Sequence, residues 1–208
     1  MHTTINAQGC RVPTGRTRRA IVVASSMVFG LALTGLSVAR AYAGSKTATV
    51  EFGTVESVAR AANGDTVEIN GEGSFTLQPK SAGGDAPTIT AAFGSVPRTF
   101  THRTATGTVL ASGTWEPTAV LSYRSFGPAT EEQSAEFGGL PPGTEGGKML
   151  LQVALYVGGV HVHDGIVTIV CLLGTPPKNA DESTLLLVQG TEFNFHTALR
   201  GDNVFIRD

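Results

Sequence analysis

Cysteine is almost absent from this 208-residue chain, which has two, Cys10 and Cys171. Cys10 falls in an amino-terminal segment that reads as an export signal, so no intrachain disulfide is expected in the remainder, and stability must come from packing. Cys171, inside IVTIVCLL, reads as a small buried hydrophobe with no Lys or His neighbour to favour a thiolate. Helical periodicity is also scarce. Thr54, Val58 and Ala61 of TVESVARAA could share a helix face, but the segment is short and ends in the hairpin-type turn Asn63-Gly64-Asp65, so strand is the expectation. The motifs of common enzymes are missing: no G-x-S-x-G elbow, Walker loop, dinucleotide fingerprint, HExxH or paired CxxC occurs. No cofactor is implied.

Acid is lacking at the start and base afterwards. Arg11, Arg16, Arg18 and Arg19 precede the apolar run Ala20 to Val38, which ends in Ala39-Arg40-Ala41-Tyr42-Ala43, a small-x-small cleavage pattern. Residues 1–43 are therefore expected to be an export signal cut after Ala43. The pair Arg18-Arg19 and the positive Arg40 resemble twin-arginine signals, with the general secretory route as the alternative. Six Ser, Thr or Gly residues dilute the apolar run, which argues against a retained anchor; the protein meets a membrane only if the signal stays. Cleavage removes five of the 15 basic residues and none of the 17 acidic ones, leaving a formal charge of −7. With an acidic surface and no basic run after Arg40, nucleic acid is not an expected partner.

What is present after residue 43 is a rhythm of short β-branched and aromatic runs broken by Gly and Pro. Residues 44–208 are expected to form a single all-β domain, an antiparallel meander closed into a small β-barrel, with a β-sandwich as the alternative. The strands are placed at 47–58, 66–69, 73–77, 88–93, 99–103, 108–112, 115–126, 149–157, 165–173, 183–188, 192–197 and 203–207. In KMLLQVALYV and GIVTIVCLLG both faces are apolar, so these two strands need cover front and back, from a packed interior on one side and a second layer or subunit on the other. The acidic Gly- and Pro-rich stretch from Ser125 to Lys148 reads as a surface insertion, or as a mobile lid or interaction loop.

Candidate functional residues are few. His161 and His163 in GGVHVHDG stand two apart, so an extended strand would aim both imidazoles at one ion, with His102, His196, Asp164 or the loop acids as a third ligand. The competing reading is a solvated hairpin tip. His102 beside Phe100 and His196 beside Asn194 are the candidates for proton transfer in a small-barrel isomerase or cyclase. Trp115, Tyr123 and Tyr156 are the candidate ligand-stacking residues, or core and rim anchors. Together these readings favour an exported, non-catalytic module that binds a small apolar ligand or a protein partner, with a homo-oligomer as one way to cover the two-faced strands.

Overall fold

The computed structural model describes residues 47–77, 89–92 and 97–208. The expected signal with its cleavage point after Ala43 lies outside the described residues, as do residues 78–88 and 93–96, which include the ends of the strand expected at 88–93. Nine strands and one short helix follow in order: β1 (Ala48–Ala61), β2 (Thr66–Leu77), β3 (Ile89–Ala92), β4 (Thr99–Arg103), β5 (Val109–Pro128), α1 (Glu131–Glu136), β6 (Thr144–Val157), β7 (Val160–Cys171), β8 (Ser183–Val188) and β9 (Asn194–Arg207).

All pairings are antiparallel, and eight strands close a barrel-like ring in the order β1-β9-β8-β7-β6-β5-β4-β2, with β2 returning to β1. That return excludes a sandwich of two separate sheets. β3 lies outside the ring's count, pairing with the second half of β2 beyond the point where β4 ends. The turns at 62–65, 104–108, 158–159 and 189–193 share the upper end of the ring. At the lower end the first residues of β6 reach past β7 and β8, so that Thr144 and Glu145 pair with Ile206 and Phe205 of β9 and narrow the mouth.

Alternation fills the interior. Met149, Leu151, Val153 and Leu155 of β6 and Val167, Ile169 and Cys171 of β7 all point inward and are buried. Burying the four β6 side chains contributes roughly 6–12 kcal/mol at ~1.5–3 kcal/mol each. Phe52, Phe75, Trp115, Phe195 and Phe205 occupy the remaining space, as the width of an eight-stranded barrel allows.

The strands are longer and fewer than their sequence suggests, because several glycines lie inside strands. A Cβ at Gly71 would sit 2.6 Å from Arg98 Cγ and 2.8 Å from Trp115, and one at Gly113 would sit 1.8 Å from the Tyr156 carbonyl oxygen. These glycines mark close approach, not turns, so β2 and β5 run through them. The helix face offered by Thr54, Val58 and Ala61 does not form, since Val58 lies on the outer side of the strand. β1 faces inward at Val50, Phe52 and Thr54, then jumps to Ser57, Ala59 and Ala61 across a bulge in which Glu56 adopts φ 48°. One extra residue shifts the strand's phase by one.

Candidate functional site

Four histidines stand in the described structure, and all four lie near the upper end. His102 follows the inward side of β4; its Nε2 is 3.2 Å from Asp65 Oδ2, with both side chains only 12% exposed. The second oxygen of Asp65 accepts the Ala105 amide at 3.0 Å, so one carboxylate ties the β1–β2 turn to the β4–β5 turn. Phe193 and Phe195 meet the His102 ring edge-on, with centroids 4.8 and 5.2 Å away. His196 lies on the other face of β9 from buried Phe195, exposed, with Nδ1 2.9 Å from the Asn194 carbonyl oxygen. The two proton-transfer candidates are therefore separated by the barrel wall.

The pair His161 and His163 is split by a bulge. His163 pairs with Leu155, which points inward, whereas His161 pairs with Tyr156, which points outward; Val162 is the extra residue between them. A same-face rule for residues two apart holds only in an unbulged strand. His161 instead reaches Asp164, Nε2 to Oδ1 3.0 Å, and tilts against the Tyr156 ring at 5.6 Å. Both histidines are exposed at the start of β7, directly after the Gly158-Gly159 turn, the arrangement of a solvated hairpin tip. Among the described residues no group of three or more His, Cys, Asp or Glu side chains is gathered to hold a metal ion.

The aromatic candidates diverge too. Trp115 is 1% exposed in the core, and its Nε1 donates to the Asn70 carbonyl at 3.1 Å. Tyr156 lies half-buried on the outer surface. Tyr123 faces the lower mouth, where it joins Glu145, one of the loop acids, together with Ser125 and Arg207, which no sequence pattern singles out. Its hydroxyl donates to Glu145 Oε1 at 2.5 Å, Ser125 Oγ donates to Oε2 at 2.7 Å, and Arg207 reaches Oε1 from Nε and Nη2 at 3.0 and 2.9 Å. The Glu145 side chain is 7% exposed, yet every approach carries a donor, as a buried carboxylate requires. Burial first, and the Glu145 hydrogen bond second, push the Tyr123 phenol far above its ordinary range.

A second polar set lies at a weak seam. β8 and β9 pair only at Leu186–Phe195 and Leu187–Asn194, because β9 then follows the bulges of β1. Side chains replace the missing ladder. Asn203 Nδ2 donates to the carbonyls of Val170 and Ser183 at 3.0 and 3.1 Å, and its Oδ1 accepts the Thr184 hydroxyl at 2.7 Å. Thr184 lies 2.8 Å from the Thr54 hydroxyl, which donates to Ser57 Oγ at 2.8 Å. Glu182 accepts the amides of Asn203 and Leu172 at 3.2 and 2.7 Å. Beside this seam is an open depression of about 350 Å³ lined by Glu56, Glu182, Arg200 and Asp202 with Leu199. Four of these side chains are charged, and Glu182 accepts backbone amides.

The outer flank of β6, β7 and β8 has a different character. Its rows Gln152–Ile166–Leu187 and Leu150–Thr168–Leu185 carry no charge. Ala154 and Val170 are buried and Leu150, Ile166 and Leu185 half-buried, but Leu187 is 40% exposed and Leu121, in a β5 bulge beside Leu150, is 48% exposed. The chain thus covers the inner flank of the two-faced strands completely and the outer flank only in part. No family model, curated protein or solved structure matches this chain.

Proposed function

We propose that the protein is an exported barrel acting as a non-catalytic interaction module that meets a protein partner through the outer flank of β6, β7 and β8. The observation that carries this reading is the uncharged aliphatic surface around Leu187, Ile166 and Leu121 on a chain that is otherwise acidic after residue 43. Apolar surface of this kind gains free energy when a partner removes it from water. The interior supports a small apolar ligand less well, since the protein's own Phe and Trp side chains lie there. The groups with chemical capability, Glu145, Tyr123 and Asn203, are held in hydrogen bonds that serve the barrel. A proton-transfer enzyme would need histidines that converge, and metal binding would need His161 and His163 on one side of β7; neither arrangement favours those readings.

A photo-crosslinking residue placed at Leu187 tests the proposal in the cell that makes the protein, with the same residue at exposed Thr118 of β5 as the control. A discrete protein adduct at 187 and none at 118 is the expected result, whether its mass corresponds to a second copy or to another protein. Equal labelling at the two positions, or no adduct at 187, would overturn it.

A further inference from the structure

The stretch between β5 and β6 is more ordered than its composition suggests, and it is attached to the barrel at few points. Thr130 caps α1 by accepting the Gln133 amide at 3.2 Å, while Gln133 Oε1 accepts the Thr130 amide at 2.9 Å. At the other end Gly138 N donates to Ala135 O and Gly139 N to Ser134 O, with Gly138 at φ 72°, a Schellman arrangement. Leu140 N adds a bond to Ser134 Oγ. The backbone groups at both ends of this six-residue helix are thus bonded within the stretch itself rather than to the barrel. Its base is closed as well, because Ala129 N donates to Thr144 O and Thr144 N to Pro141 O.

Against that internal order stands weak attachment. α1 buries none of its residues. What holds the stretch to the barrel is the half-buried pair Phe137 and Leu140, together with Gln133, which exchanges hydrogen bonds with Gly174 at 3.0 and 3.4 Å. We propose that residues 130–140 are a flap that swings from the lower mouth as one body about its closed base, uncovering apolar surface at the end of β7 while the barrel stays folded. This inference is independent of the outer-flank contact.

Cys171, the last residue of β7, is fully buried and lies three residues before Gly174, so its thiol reports on that mouth. The test uses the full chain with Cys10→Ser, reacted with Ellman's reagent across a urea series. If the flap opens locally, the Cys171 rate at low urea is nearly independent of urea, and it joins the steep global branch only near the unfolding midpoint. In Phe137→Ala/Leu140→Ala the flat branch should rise about tenfold or more, because half-buried apolar contacts no longer hold the flap. The proposal is overturned if labelling follows global unfolding over the whole series in both proteins. It is equally overturned if the double variant reacts faster only in proportion to its lost global stability.

Discussion

Replacing Asn203 with alanine would remove the one side chain that bridges β7, β8 and the end of β9. Its amide satisfies the carbonyls of Val170 and Ser183, and its oxygen receives the Thr184 hydroxyl, all in a site that is 1% exposed. Each buried polar group left without a partner costs ~1–3 kcal/mol; Thr184 keeps the Thr54 hydroxyl within reach at 2.8 Å, so the two carbonyls would together cost ~2–6 kcal/mol. Water entering the space left by the side chain limits the loss, which gives an expected ~2–5 kcal/mol. That is a large part of the ~5–15 kcal/mol by which a domain is stable. Asn203→Asp keeps the shape but turns an oxygen toward two carbonyl oxygens, and it should cost at least as much as alanine. Asn194→Ala, exposed on the same strand, is the control and should change stability by less than ~0.5 kcal/mol. Urea unfolding of the three variants against the parent measures the differences. A loss below ~1 kcal/mol for Asn203→Ala would show that the seam does not depend on this side chain.

Gly113→Ala should abolish folding or cost more than ~3 kcal/mol, since its Cβ would meet the Tyr156 carbonyl at 1.8 Å, whereas Gly107→Ala, with open space around it at φ 90°, should lose only ~1 kcal/mol; thermal melts separate them. The Tyr123 phenol is protonated in the folded barrel to a higher pH than in the unfolded chain. Its contribution is thus complete below about pH 10 and declines as pH rises beyond it, by up to ~1.4 kcal/mol per pH unit. Stability measured from pH 9 to 11.5 should show this fall, and Tyr123→Phe should flatten it. Glu145→Ala leaves Arg207 and Tyr123 without their acceptor and is expected to cost ~3–5 kcal/mol in urea unfolding; an effect under 1 kcal/mol would contradict the lock at the lower mouth.

The class of fold was legible because alternation is clean in β4 and at the start of β9, and because the apolar runs of β6 and β8 are short and bounded by Gly, Pro and polar residues. β8 and β4 begin and end where the pattern places them. Legibility failed at glycines and bulges. Gly71 and Gly113 look like turn residues but sit where a neighbouring strand or side chain comes too close for a Cβ. The extra residue at Val162 undoes the same-face geometry on which a shared metal would depend, and no local signal in VHVH reveals it. Ser125 to Lys148 has loop composition, yet β5 runs to Pro128, β6 starts at Thr144 and a doubly capped helix stands between. The Thr130–Gln133 pair was a readable helix signal there.

The polar sites were least legible because their members come from distant strands. Glu145 meets Tyr123 and Arg207, and Asn203 meets Val170, Ser183 and Thr184, only once the ring has closed. Asp65 could be seen as a turn residue, but not as the partner of His102 from another hairpin.

Native mass spectrometry of the protein purified from the cell that makes it tests most directly whether the barrel works from its surface with an interior filled by its own side chains. The account predicts masses made up of protein alone, in one or more subunits, each beginning after Ala43. A stoichiometric small molecule retained by every barrel, and lost only when the fold is lost, would contradict it.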